Sequence, residues 1–399
     1  MHGLFPSHDL PLTLKRNAKP IVRAISMTCV AASLATFSLL LLQSGASARE
    51  RWTPAEAKTW HQRTGWLVGC NYAPRTAINE LEMWQADSFD PQTIDQELGW
   101  AESLRFNSLR VFLHDLAWQQ DPEGFYSRLD QFLEIAARHK IGVMFVLFDG
   151  VWDPFPKAGP QRAPKPHLHN SGWVQSPGAD VLRDDAKIDA LKPYVVGVVS
   201  RYRNDPRVQA WDIFNEPDNP NTNSYGKVEL ADKAERAQVL LEKAFAWARE
   251  ADPAAPLTAG VWRGDWSTDE RMSAIDRRMV ELSDVISFHT YDPPDAADRR
   301  IASLRRFGRP LLCTEFMARG NGSRFDPQLG QFRKADVAAY CWGFVSGKSQ
   351  TIYPWDSWNK TYDAEPAEWF HDIFRADGSP YRPAEVEYIR RQTSTLKAR

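Results

Sequence analysis

The sequence predicts an α/β fold: a single-domain (β/α)8 TIM barrel with an extended loop after its third strand. From about Trp66 onward, short runs rich in β-branched and aromatic residues alternate with amphipathic segments. That alternation is the mark of a parallel sheet with crossover helices. Eight such runs can be counted, and a chain of 399 residues holds one barrel of this kind with insertions. No Gly/Ser- or Pro-rich linker interrupts the alternation, so no appended module is expected.

The N-terminus reads as a leader. Lys15, Arg16, Lys19 and Arg23 precede an apolar run over residues 24–42, and Ala46-Ser47-Ala48 supplies a small-x-small cleavage pattern. Residues 1–48 are therefore expected to be a signal peptide and residues 49–399 the folded domain, exported to the periplasm or secreted. The apolar run is also close to the length that spans a bilayer, so an uncleaved N-terminal anchor is the alternative, and only then is a membrane a partner. Beyond the leader, Cys70, Cys313 and Cys341 remain. No Cys-x-x-Cys spacing occurs, and the three read as small buried hydrophobes, the first two in strands and Cys341 in a helix.

The expected strands are 66–72, 108–114, 142–148, 208–214, 256–261, 285–289, 311–314 and 351–355. Between them, Phe125, Leu129, Phe132, Leu133 and Ala136 repeat at helical spacing, as do Ala237, Leu240, Leu241, Ala244, Phe245 and Ala248. Asp90-Pro91 and Asp121-Pro122 each place an N-cap acid before a proline suited to the first helical position. The non-periodic stretch 150–180, rich in Pro, His and Trp, would rise from the C-terminal end of the third strand. Loops of that length in a compact domain are commonly functional.

Lys plus Arg number 49 and Asp plus Glu 51. This balance gives no electrostatic case for a nucleic-acid partner, and no obligatory protein partner is evident. Polar residues at strand ends say more. Glu216 closes the run Trp211-Asp212-Ile213-Phe214-Asn215-Glu216-Pro217, and Glu315 closes Leu311-Leu312-Cys313-Thr314-Glu315-Phe316. Carboxylates at the C-terminal ends of barrel strands lie where this fold builds active sites, and two facing carboxylates are the equipment for glycosidic bond hydrolysis. Period-two alternation puts Arg110, Phe112 and His114 on one face, Ser287, His289 and Tyr291 on another, and Leu311, Cys313 and Glu315 on a third. If those faces line the interior, Arg110, His289, Tyr291 and Glu315 converge. A cation and hydroxyl donors would then keep a nucleophilic carboxylate ionised. Asp212 reads as a partnered structural acid.

These segments resemble the clan A glycoside hydrolases, and family 5, the cellulase and mannanase family, most closely. The resemblance covers roughly residues 66–358. It implies Glu216 as acid/base, Glu315 as nucleophile, Arg110 as its support and Asn215 as a holder of the sugar 2-hydroxyl. It also implies that Tyr291, in His289-Thr290-Tyr291, bonds the nucleophile, and that Trp355 ends the eighth strand as a sugar platform. Many family 5 members carry His at the end of the third strand, where this chain reads Leu147-Phe148-Asp149-Gly150. Asp149 or His114 could fill that space. Trp118, Trp152, Trp173, Trp262 and Trp266 follow strands on the same face, where indoles stack on pyranose rings.

The expected activity is that of a retaining β-glycoside hydrolase acting on β-linked oligo- or polysaccharides, with no metal and no organic cofactor required. A transglycosylase of the same clan shares the chemistry. A catalytically silent carbohydrate-binding barrel is the rival from another class. A metal-dependent hydrolase built on His114, His167 and His169 is a further rival, although His167-Leu168-His169 has no acidic ligand placed by spacing.

Overall fold

The computed structural model describes residues 48–396. The leader, its apolar run, Cys29 and most of the cleavage pattern lie outside the described residues. Among the described residues no helix is long and apolar enough to cross a membrane.

Eight parallel strands form the barrel: β1 (Val68–Tyr72), β2 (Ser108–Phe112), β3 (Gly142–Asp149), β4 (Val208–Asn215), β5 (Leu257–Thr258), β6 (Ile286–His289), β7 (Leu311–Phe316) and β8 (Ala338–Cys341). They pair in the order β5-β4-β3-β2-β1-β8-β7-β6. A parallel bridge from Val261 to Phe288 brings the segment after β5 against β6 and closes the ring. Leu67, Met144, Ala210, Val285, Leu312, Ala338 and Tyr340 fill one interior layer. Above it the interior turns polar, with Ser108 bonded to Gln209 and Tyr340 and Thr258 bonded to Ser287. A barrel interior that changes from hydrocarbon to hydrogen-bonding groups along its axis directs its chemistry to one end.

The periodic segments form the expected helices. Pro122–Arg138 buries Phe125, Leu129, Phe132, Leu133 and Ala136, and its N-cap Asp121 accepts from the Gly124 amide. Lys233–Glu250 buries the second apolar set. Asp90 likewise caps Pro91–Ser103 through the Thr93 amide. These caps satisfy donors that the first helical turn leaves without partners.

Two expectations are corrected. The eighth strand is Ala338–Cys341 and not 351–355, so Cys341 lies in a strand and not a helix. Ala-Ala-Tyr-Cys carries weak strand propensity, but it pairs on both sides, with β1 and β7. Thr-Ile-Tyr-Pro-Trp looks more strand-like locally, yet Pro354 cannot donate to a ladder. There the chain turns into a 3-10 helix, Trp355–Trp358. The second correction concerns β7. Leu311 and Cys313 face the helix layer, while Leu312 faces the barrel interior. Register shifts on both sides of β7 break the alternation before Glu315, so Glu315 points inward although Cys313 does not.

Candidate active site

Arg110 organises the site from below. It is fully buried on β2, and a guanidinium there must have every donor engaged to offset its lost hydration. Its Nε donates to Asp212 Oδ2 (2.9 Å), Nη1 to Asn71 Oδ1 (2.7 Å) and Glu315 Oε1 (2.8 Å), and Nη2 to Asn215 Oδ1 (2.7 Å). One side chain thus ties β1, β4 and β7 to β2. Asp212 is the partnered acid expected of it.

Glu315, at the end of β7, also accepts from the Tyr291 hydroxyl at 2.7 Å. Burial raises the Tyr291 pKa well above its ordinary value, so the phenol remains a donor. Glu216 follows β4 with φ of 40°, a left-handed conformation that non-glycine residues seldom adopt. Its Oε2 accepts from Asn219 Nδ2 at 2.6 Å, and its Oε1 lies 2.8 Å from His289 Nδ1. The same Nδ1 is 3.5 Å from Glu315 Oε2. Burial lowers the His289 pKa to about 4, which keeps the ring neutral. A neutral ring has one N–H, and Nδ1 is the nitrogen with carboxyl partners.

Burial pushes the Glu216 pKa up to about 7, against the pull of the Asn219 amide. Glu315 is also raised by burial, but His289, Arg110 and the Tyr291 hydroxyl oppose the shift. The direct cation and phenol contacts belong to Glu315 alone, so Glu216 is the member that keeps its proton near neutrality. Two carboxyls in different environments can therefore hold opposite protonation states.

Glu216 and Glu315 line a cavity of 320 Å³ together with Asn215, Trp262, His289, Tyr291 and Trp355. Three expected binding residues do not line it. Arg110 lies beneath Glu315. Asp149 accepts from Asn215 Nδ2, Trp173 Nε1 and the Val151 amide, so it braces Asn215. His114 is the buried N-cap of the helix Asp115–Gln120 and accepts from the Leu116 amide. Neither Asp149 nor His114 lines the cavity.

Among the tryptophans, Trp152 and Trp262 reach the cavity, while Trp173 packs behind it with Phe112 and Trp342. Trp118 bonds the Tyr126 hydroxyl, and Trp266 is buried with its indole N–H on the Arg263 carbonyl. Trp355 reaches the cavity edge-on to Tyr291, with ring centroids 4.9 Å apart, but from the 3-10 helix. The tryptophan that directly follows β8 is Trp342, which also lines the cavity.

Asn71, Asn219, Trp342 and Asn170 escaped the reading of the sequence, and His169 entered it only as a ligand of the rival metal-dependent reading. Asn71 had a signal, a lone amide in an apolar run. Asn219 stands three residues after Glu216, and nothing local marks that spacing. His167 and His169 direct their Nδ1 atoms to the carbonyls of Tyr362 and Tyr353, and among the described residues they do not come together with His114 as a metal-ligand group. Among the described residues, one group offers three potential metal-ligand atoms within 4.8 Å of one another: Glu216, His289 and Glu315. The Arg110 guanidinium already supplies positive charge beside it.

The sequence model of glycosyl hydrolase family 10 matches residues 167–282. No curated protein sequence matches the chain. Among solved structures, GH5_18 from Streptomyces cattleya in complex with GlcNAc is similar at 16% identity and a TM-score of 0.56, covering 84% of this chain and 82% of that one. The β-mannanase of the blue mussel Mytilus edulis is similar at 16% identity and 0.54, covering 84% and 93%. An exo-β-1,4-mannosidase from Opitutaceae bacterium strain TAV5 gives 17% and 0.56, covering 83% and 59%. The family model thus matches less than a third of the chain, and the similarity to solved structures shows the (β/α)8 barrel fold.

Proposed function

We propose that this protein is a retaining β-glycoside hydrolase in which Glu315 is the nucleophile and Glu216 the acid/base. One observation carries the reading. An oxygen of each carboxyl lies within 4.8 Å of the other, while Arg110 and Tyr291 both bind Glu315. Retaining pairs are separated by about 5–5.5 Å, whereas inverting pairs leave about 6.5–9.5 Å for a water.

Glu315 attacks the anomeric carbon as the glycosidic C–O bond breaks, and Glu216 gives its proton to the departing oxygen. Glu216, now ionised, takes a proton from water as that water displaces Glu315. Transfer to a second sugar instead of water would make the same enzyme a transglycosylase. Structurally similar proteins include a β-mannanase, an exo-β-1,4-mannosidase and a GH5_18 enzyme in complex with Manβ1-4GlcNAc, so β-mannosides head the substrate panel.

The test uses the purified protein on 4-nitrophenyl β-glycosides and on β-1,4-linked oligosaccharides. Glu315→Ala should abolish turnover, and azide should restore it with an α-glycosyl azide as product. Glu216→Ala should lose about 10²–10⁴-fold on oligosaccharides and far less on activated aryl glycosides, which need no proton. Near wild-type oligosaccharide turnover by both variants would sink the proposal.

A further inference from the structure

The helix Lys233–Glu250 begins with a buried lysine. Lys233 is 3% exposed and takes the first helical position, where the helix dipole disfavours a cation. An ammonium in that place needs partners to offset its lost hydration. Its Nζ donates to the Gly150 carbonyl at 2.7 Å and to Glu229 Oε2 at 2.7 Å. The Glu229 side chain is buried as deeply, and its Oε2 also accepts from Asn221 Nδ2 (2.8 Å) and Gln175 Nε2 (2.6 Å). Burial by itself would raise the Glu229 pKa, yet Lys233, Asn221 and Gln175 hold it below its ordinary value. Burial lowers Lys233, and Glu229 opposes that shift.

Neither residue lines the cavity, but Asn221 does, and it carries their hold to Glu216. Besides its bond to Glu229, Asn221 Nδ2 lies 3.2 Å from the Gly150 carbonyl and 3.3 Å from the Asn219 carbonyl. The Asn221 backbone amide donates to Asn219 Oδ1 at 2.9 Å. With its oxygen claimed there, the Asn219 amide presents its nitrogen to Glu216 Oε2 at 2.6 Å. The second route runs through Gly150. Lys233 holds its carbonyl, its N–H meets the Asn215 carbonyl, and its α-carbon packs too close to the Glu216 carbonyl for any side chain. One ion pair thus reaches Glu216 twice, at the carboxyl through Asn221 and Asn219 and at the backbone through Gly150.

We propose that Lys233 and Glu229 are positioning residues for the acid/base Glu216, holding Asn219 on its carboxyl and Gly150 against its backbone. This rests on the glycosidase reading above and adds what fixes the acid's place and proton affinity. The charges felt most by Glu216 are those of Asp218, Arg110 and Arg263, so the ion pair works at a remove, through the groups that touch Glu216. A pair that only held the loop together could be replaced without altering proton transfer. A positioning pair cannot, because the Asn219 amide favours the charged form of Glu216 only while it stays at hydrogen-bond distance.

The experiment starts from wild type and Glu216→Ala, compared on a β-1,4-linked oligosaccharide and on the corresponding 4-nitrophenyl β-glycoside. An equal loss on both substrates in Glu216→Ala would overturn the glycosidase reading, and this inference with it, before the pair is touched. Lys233→Met/Glu229→Met then replaces the ion pair by apolar side chains with no change in net charge, a replacement that buried pairs often tolerate. Oligosaccharide turnover should fall on the order of tenfold, part of the roughly 10²–10⁴-fold that a general acid contributes, while the aryl glycoside is spared. The basic limb of kcat/KM should move to higher pH, and adding Asn219→Ala should move it no further than Asn219→Ala does alone. Asn221→Gly is the second variant. It cuts the relay with the ion pair intact, its φ of 48° suits glycine, and it should give the same two effects. Arg110, Asp149, Asp218, Arg263, His289, Tyr291 and Glu315, the charged and titratable groups around Glu216, are unaltered in every variant. An unmoved basic limb, or equal loss on both substrates, in whichever variant folds would overturn the inference and leave the glycosidase intact.

Discussion

Glu216 and Glu315 differ less in burial than in their neighbours, and those neighbours set the pH dependence. In the proposed mechanism Glu315 acts ionised and Glu216 protonated, so kcat/KM should fall above about pH 7, where Glu216 releases its proton. Asn219 donates to Glu216 and lowers its pKa, so Asn219→Ala should move the basic limb to higher pH. Tyr291 donates to Glu315 and favours its charged form, so Tyr291→Phe should move the acidic limb to higher pH and slow the reaction. Profiles of kcat/KM against pH for the two variants, once folding is verified by circular dichroism, separate the effects. An unmoved acidic limb in Tyr291→Phe would remove Tyr291 from the nucleophile's environment. Of this pair of contacts, Tyr291 was legible from strand alternation, whereas Asn219 lies in an irregular loop with no periodicity to read.

At the scale of elements, the ends of β3 and β4 place Glu216. The Gly150 amide donates to the Asn215 carbonyl at 2.8 Å. A Cβ on Gly150 would stand 2.2 Å from the Glu216 carbonyl oxygen. The left-handed backbone of Glu216 costs on the order of 1–3 kcal/mol and persists because its surroundings hold it. Gly150→Ala must therefore push Glu216 aside. The expected outcome is a folded protein whose oligosaccharide turnover drops toward that of Glu216→Ala, with activated aryl substrates spared. Wild-type kinetics in that variant would mean that this close approach does not position the acid. The shifts around β7 make a related point. A strict two-residue period assigns Cys313 and Glu315 to one face, and only pairing with β6 and β8 reveals the irregularity that separates them.

For the whole molecule, buried acids and buried histidines pull stability in opposite directions with pH. Glu97 shows the acid side. It accepts from the Tyr72 hydroxyl and from Arg75, yet burial raises its pKa from 4.5 to about 7. Between those values the unfolded chain has released this proton and the native state has not, so stability falls as pH rises through the window. His169 and His289 work the other way, with pKa values lowered from 6.5 to about 4, and stability rises across that interval. Glu97→Gln removes only the acid contribution. Its melting temperature relative to wild type should rise from pH 4.5 to pH 7, as measured by thermal melts across that range. A relative fall would mean that Arg75 stabilises the charged carboxylate more than burial disfavours it.

The sequence by itself determined the barrel, seven of its eight strands, the two glutamates and the Arg110–Tyr291–Glu315 convergence. Each rests on short-range periodicity or on a charged residue that an apolar run could not otherwise accommodate. Tertiary structure decided the eighth strand, where pairing with β1 and β7 outweighed the weak propensity of Ala-Ala-Tyr-Cys. It moved Asp149 and His114 out of the cavity wall, because hydrogen bonds to Asn215, Trp173 and local amides claimed their side chains. It also brought His169 and Asn170 to the cavity through contacts with residues nearly two hundred positions away. Loop residues carry no period, so their place is set by the partners that satisfy their backbone, and those partners are known only once the chain has closed.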